Sequence, residues 1–378
     1  MPNIDLNAIF FALFGLGLLV LFVVGFIYFL IHYYKWRGRE ARSIDSILLQ
    51  IAVPRNNEIK IDAMEQLFSS LFAIKKGGSA KTKTQPAISF EIVAKPEDIR
   101  FYIWVPKDLQ DLIEKQVHGA YPDAEIVGVQ EYNIFTKEGK VAHRSLQLSG
   151  QNYYPLKTYR DLPTDPMATL TSAMAKMGEG EAAALQVLIS PSESSWQSAG
   201  TSFISETKKQ EADPEKAKYA VPAKQLEAVE NKVGKPGFET SVRIVVVSGN
   251  QGSADVHLAN IEAAFAQFSG DLNSFKSRVV RRKGAFIEDF IYRYPPMFHL
   301  FGNRVSVLNS EELATIFHFP NKQVTTPHLY WLYAKTAPAP SEIAQKGLYL
   351  GMSTYRGVKR PVHISDDDRL RHMYIIGK

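Results

Sequence analysis

From Leu6 to Tyr34 the chain carries no Asp, Glu, Lys or Arg, and Phe, Leu, Val, Ile and Gly fill most positions. A helix of roughly 20 apolar residues crosses a hydrocarbon core of about 30 Å. This stretch therefore predicts one transmembrane span. A cleaved secretion signal would put its positive charge ahead of a shorter apolar core, with a small-residue cleavage site behind. Here Asp5 precedes the stretch, while Lys35, Arg37, Arg39 and Arg42 come after it. The positive-inside rule then places the N-terminus outside and everything after residue 35 in the cytoplasm, as in a single-pass inner-membrane protein. Lys35, Trp36, Arg37, Arg39 and Arg42 are the expected membrane-interface residues, with Tyr28, Tyr33 and Tyr34 in the inner aromatic belt. Gly15, Gly17 and Gly25 put small residues in the span, without a G-x-x-x-G spacing, so that anchors could pack closely into a homo-oligomer.

Behind the span there is material for two or three compact domains: the chain has 378 residues, 45% of them hydrophobic and 22% charged. A net charge of +5 permits contact with anionic lipid or nucleic acid without demanding it. The absence of cysteine excludes disulfides, thiolate nucleophiles, iron–sulfur clusters and cysteine-bound zinc.

Hydrophobic periodicity divides the residues beyond the span into elements. Ile47 to Val53 reads as a strand, and Ile61, Met64, Leu67, Phe68, Leu71 and Phe72 as a helical stripe. Ile88 to Ala94 and Arg100 to Val105 are strands. Leu109, Leu112, Ile113 and Val117 form a second stripe before a strand at Ala124 to Val129. The order βαββαβ is that of a ferredoxin-like unit, an antiparallel sheet with both helices on one face. It returns as strand Ser145 to Ser149, helix Met167 to Met177 and strand Ala183 to Ile189. After a charged helical insertion come strand Ser241 to Ser248, helix Ala254 to Phe268 and strand Ser274 to Val280. The expected fold class is α+β. Its parts are an anchor with a basic juxtamembrane segment (1–43), a first ferredoxin-like domain (44–135) and a second (141–283) with the insertion 192–238. A connector (284–345), lying on the surface of another domain, carries a short helix from Glu311 to Phe317 with Ser310 as its N-cap; residues 346–378 open a further domain.

Little of this carries chemistry. The loop Ser248-Gly249-Asn250-Gln251-Gly252-Ser253 lacks the lysine and the full glycine spacing of a phosphate loop, and reads as a tight turn with Ser253 as N-cap. No pair among the nine histidines has zinc-protease spacing, and neither His318 with His328 nor His363 with His372 forms a recognisable ligand set. Asp366 to Asp368 read as a solvated turn, and no serine sits in G-x-S-x-G. No metal site, resident cofactor or catalytic residue is expected. Two basic clusters are candidate contacts for phosphate backbones or anionic lipid heads: Lys75, Lys76, Lys81 and Lys83, and Arg278, Arg281, Arg282 and Lys283.

The tail His372-Met373-Tyr374-Ile375-Ile376-Gly377-Lys378 reads as the strand and opening glycine of a phosphate-binding loop. Three stretches together resemble the region ahead of the ATPase core in membrane-anchored type IV secretion and conjugative DNA-transfer proteins of the HerA and FtsK superfamily. They are Asp161 to Pro166 with Gly180 to Ile189, Asn309 to Pro320, and Gly351 to Gly357 with Asp368 to Lys378. Members would continue from Gly377-Lys378 into Thr-Gly-Thr-Gly-Lys-Ser. Only Gly377 carries over, as the first glycine of an incomplete loop. The resemblance implies the membrane and accessory part of a translocating motor, not catalytic by itself, with ATP and Mg entering only through a downstream domain. It implies as partners the bilayer, further copies of the chain, secretion-channel proteins and, through the motor, DNA. A stand-alone membrane-anchored scaffold for envelope partners is the alternative.

Overall fold

A computed structural model describes residues 6–36, 38–77, 84–211, 221–278, 280, 282–295, 305–333, 338–355, 358–372 and 374. Helix α1 (Leu6–Trp36) runs 31 residues, and none of its Leu13–Leu30 window is buried against the protein. It is long and apolar enough to cross a membrane. Gly38, with φ of 76°, then adopts the left-handed conformation that glycine tolerates without a Cβ clash, and the short helix α2 (Arg39–Ile44) comes next.

The body is a mixed α+β structure around a large antiparallel sheet. Its first half comprises β1 (Ser46–Ala52), α3 (Ile61–Leu71), β2 (Ile88–Lys95), β3 (Asp98–Pro106), α4 (Gln110–Ala120) and β4 (Glu125–Val129). The second comprises β5 (Lys140–Leu148), α5 (Pro166–Met174), β6 (Ala182–Pro191), α6 (Ser195–Glu211), α7 (Ala223–Val233), β7 (Gly237–Ser248), α8 (Gln251–Ala264) and β8 (Phe275–Arg278). Then come α9 (Lys283–Ile291), β9 (Ser306–Asn309), α10 (Ser310–Ile316), a separate hairpin of β10 (Leu348–Tyr355) and β11 (Val358–Ile364), and α11 (Asp366–Arg369). The strand order is β4-β1-β3-β2-β6-β7-β5-β8, with β9 added to the start of β7. The halves join in one sheet where β2 meets β6, antiparallel from Ile88 opposite Ile189 to Ala94 opposite Ala183.

Alternation along the strands sorts two cores. Leu49, Ile51, Phe90, Ile92, Ile103, Val105, Leu185, Val187, Ile244 and Val246 face α3, α4, α5 and α8, which therefore share one face. Leu48, Val93, Trp104, Ala184, Val245 and Val247 face the other, where Phe286 and Phe290 of α9 and Ile134 cover them. Because both faces are covered, the central strands read as nearly continuous apolar runs.

The segment expected to lie over a surface does the opposite. Every residue of α10 is buried. Phe317, just after it, packs against Phe90 at 5.2 Å and Phe101 at 5.9 Å between ring centroids, in the middle of the helical layer. The physical reason is that the two halves leave a trough between α3 and α5 over the β2–β6 seam, and an apolar segment after β9 fills it. Asn309 rather than Ser310 caps α10: its side chain accepts from the Glu312 amide at 2.9 Å, while the Glu312 carboxylate accepts from the Asn309 amide at 3.0 Å. Likewise Asn250, not Ser253, caps α8, accepting from the Ser253 amide at 2.8 Å. Strands β5 and β7 begin earlier than periodicity alone suggests, at Lys140 and Gly237. Gly237 is needed there because a Cβ would collide with the Trp196 indole. Asp366 to Asp368 open α11 behind the Ser365 cap instead of forming an open turn.

Candidate functional site

Three residues in the strands facing α9 break the apolar pattern. Glu91 stands opposite Gln186, and Gln186 opposite Arg243, so one polar row crosses the seam from β2 through β6 to β7. All three are buried. A buried charge is costly unless paired, and here the pairing comes from the chain just after α9. Arg293 reaches Glu91 with two parallel bonds, Nε to Oε1 at 3.0 Å and Nη2 to Oε2 at 3.1 Å, and Glu131 with Nη1 at 2.6 Å. Ser89 and Tyr132 hydroxyls donate to Glu91 at 2.7 Å each, and the Gln186 amide at 2.9 Å. Burial alone would raise the Glu91 carboxyl; the Arg293 guanidinium and the two hydroxyls hold it below its ordinary value. Burial also pushes the Tyr132 phenol well up, as does the Glu91 charge beside it. Arg243 donates to Gln186 Oε1 at 2.9 Å and to the Asp289 carbonyl at 2.8 Å, and it also reaches the Tyr294 carbonyl. Burial pushes its guanidinium down to about 10, still charged at neutral pH.

This row fixes the strap Tyr292-Arg293-Tyr294 to the sheet so firmly that Arg293 sits in the left-handed region, with φ of 52°. The strap in turn carries α2. Arg39 pairs with Glu288 of α9 at 3.2 Å and lies 4.3 Å over the Tyr294 ring, and the Ser43 hydroxyl donates to the Tyr292 carbonyl at 2.7 Å. The segment directly behind α1 is thus tied, through one strap, to the centre of the sheet.

The chain enters and leaves the body at opposite ends of β1. Entry is at Ser46. After α10 the chain passes to the far end, where Ile99 donates to His328 at 2.8 Å, Tyr330 to Ile99 at 2.9 Å and Leu332 to Val53 at 2.9 Å. Asp165, the cap of α5, steadies this path by holding His318 at 2.9 Å and Asn321 at 2.8 Å. Burial would raise the Asp165 carboxyl, but these two contacts and the Met167 amide hold it below its ordinary value. The His318 ring also faces the Ala314 carbonyl at 2.8 Å. A second buried tie joins Lys232 of α7 to Glu312 of α10 at 3.0 Å.

The two basic clusters expected from sequence do not come together. Lys75 is turned inward onto the Ser192 carbonyl at 2.9 Å and Glu193 at 3.4 Å. Lys76 stays exposed and lines a cleft of about 270 Å³ with Arg39 and Arg42. Arg278 lies in β8 opposite Ser145, and Arg282 and Lys283 are exposed at the start of α9, the end remote from the strap. Lys81, Lys83, Arg281, Arg37 and Gly377 lie outside the described residues, as does the expected strand at 373 and 375–376; Tyr374 is exposed. Lys35 and Trp36 fall in the last turn of α1. Among the described residues no three His, Asp or Glu side chains converge in a metal-binding group. Sequence reasoning passed over Glu91, Arg243 and Arg293. The available signal was one charge in the middle of each of two apolar strands, ISFEIVAK and SVRIVVVS, with opposite signs.

Comparison with the curated proteins finds no match. The model of the family described as Domain of unknown function (DUF8128) matches residues 40–332. Those limits fall at α2 and at the exit hydrogen bond of Leu332, so the matched region is the body with helix α2 docked on it, without α1 and the β10–β11 hairpin. The chain belongs to the DUF8128 family.

Proposed function

We propose that this chain is the membrane-anchoring and accessory part of a type IV secretion or conjugative DNA-transfer motor, a rigid spacer between the bilayer and the segment beyond residue 332. The observation that carries this reading is the entry and exit of the chain at opposite ends of β1, whose seven residues at about 3.3 Å each separate the two points by roughly 23 Å. In this reading α1 is a retained anchor in the inner membrane with its N-terminus outside, since the cationic residues come after the span. The halves are two ferredoxin-like units: each has the order fourth-first-third-second among its own strands. Gly15, Gly17 and Gly25 stand at different angles around α1; at each an added Cβ would meet nothing within 4 Å, and each gives a point where a second anchor can approach closely in a homo-oligomer.

The test is to read the coding sequence past Lys378 and to assay the protein it encodes. A continuation T-G-x-G-K-[ST], with ATP turnover that the 378-residue chain lacks, is the expected result. A different continuation, or micromolar ATP binding by the 378-residue chain itself, removes the motor and leaves the scaffold reading.

A further inference from the structure

The cleft beside α2 has the make-up of a phosphate-ester site at a membrane surface. Its wall on one side is α2, where Arg39 and Arg42 are three residues apart and so lie on one helical face. On the other side Lys76 enters from the turn after α3. Its position is set by its own backbone, whose amide donates to Gln85 Oε1 at 2.8 Å and whose carbonyl accepts from Gln85 Nε2 at 2.9 Å. Trp104, 4% exposed, and Tyr294 form an aromatic floor, with Arg293 behind them. Four cationic side chains line the cleft with two carboxylates, Asp45 and Asp108; Arg39 and Arg293 already hold Glu288 and Glu91, as Asp45 holds Lys107 at 3.2 Å, and Arg42 and Lys76 are the exposed cations on which a ligand would draw. Cations on the rim over an aromatic floor match the headgroup of an anionic phospholipid, with the phosphate at the rim and the glycerol backbone against the rings.

We propose that this cleft binds the phosphate of an anionic phospholipid, with Arg42 and Lys76 as its principal ligands. The proposal rests on the reading of α1 as a membrane anchor, because that reading brings α2, which begins three residues past the end of α1, to the headgroup layer. A free phosphate offers the same charge; the lipid is chosen because the cleft is built partly from the juxtamembrane helix. A bound headgroup would brace α2 against the strap and the 84–87 segment at once, fixing the angle at which the body leaves the membrane.

The test uses the full 378-residue chain in detergent, loaded with phosphatidylglycerol or phosphatidylcholine and read by native mass spectrometry. Wild type should retain phosphatidylglycerol preferentially. Arg42→Gln and Lys76→Gln should each weaken retention about fivefold, and the double variant about twentyfold. Both side chains are exposed, so melting should be unchanged; if the double variant fails to fold, Lys76→Gln alone decides. Arg282→Gln with Lys283→Gln, at the other end of α9, should leave retention as it was. Equal retention of the two lipids by wild type, or undiminished preference in Lys76→Gln, overturns the proposal. So does inorganic phosphate at the lipid's own concentration displacing it completely, which would assign the cleft to a free anion. Recovery of the chain in the soluble fraction without detergent overturns the anchor reading itself, whereas membrane retention without lipid preference overturns only the headgroup site.

Discussion

Glu91 and Arg293 stand 202 residues apart in the chain, and their contact decides what acid and mutation will do to the body. Removing one partner of a buried pair strands the other, at a cost of about 3–5 kcal/mol. Arg293→Ala should therefore lower stability by that amount in denaturant titration, and α2 should loosen with the strap, measurable as faster hydrogen exchange at Arg39 to Ile44. The sign of the pH dependence comes from the carboxyls. Glu91 and Asp165 are both held below their ordinary values of 4.5 and 3.8 in the fold, so both bind protons more readily when unfolded. Their contribution is complete above those ordinary values and disappears as pH falls through them towards the folded ones. Melting temperature should hold from neutral pH down to about 5 and drop steeply below. Glu91→Gln should melt lower at neutral pH and show a shallower acid limb; an acid limb identical to wild type would remove Glu91 from this account. Neither partner was legible as such: a lone Glu in a strand reads as a surface position until the other face of the sheet is known to be covered, and Arg293 lies in an irregular strap with no periodicity to place it.

At the scale of elements the sequence was most informative where one period dominated. The stripes of α3 and α4 and the runs of β2, β3, β6 and β7 stand where their apolar spacing predicts, because each buries a face regardless of the element opposite. Boundaries shifted where a partner outside the element set them, as when β9 extends β7 back to Gly237. The role of α10 was illegible for a related reason. Seven residues with two glutamates look like a surface turn, and their partners make burial affordable: Asn309 and Lys232 at Glu312, and Lys235, Arg160 and Thr158 at Glu311. Asn309→Ala should cost about 1 kcal/mol through loss of the cap. Phe317→Ala should cost about 3–5 kcal/mol through the cavity left among Phe90, Phe101 and Phe319. If Phe317→Ala melted like wild type, α10 would not be part of the core.

For the whole molecule, α1 adds no buried surface to the body in its Leu13–Leu30 window, so deleting residues 1–37 should leave the melting curve of the rest nearly unchanged while moving the protein out of the membrane fraction. A reporter fused after residue 45 should give a cytoplasmic signal; a periplasmic one would invert the topology. The separation of the two chain ends along β1 also has a mechanical side. Tension applied between α1 and the segment after Leu332 pulls along β1, while its hydrogen bonds to β3 on one flank and β4 on the other run across the strand. These bonds share the load in shear and must break together, whereas a pull between Ser46 and Pro106, which face each other at one end, opens β1 from β3 a pair at a time. Single-molecule stretching should thus record a markedly higher rupture force with handles at 46 and 332 than at 46 and 106, and equal forces would contradict this. A body connected in this way can be tugged from the far side without unravelling at the end where α1 joins it.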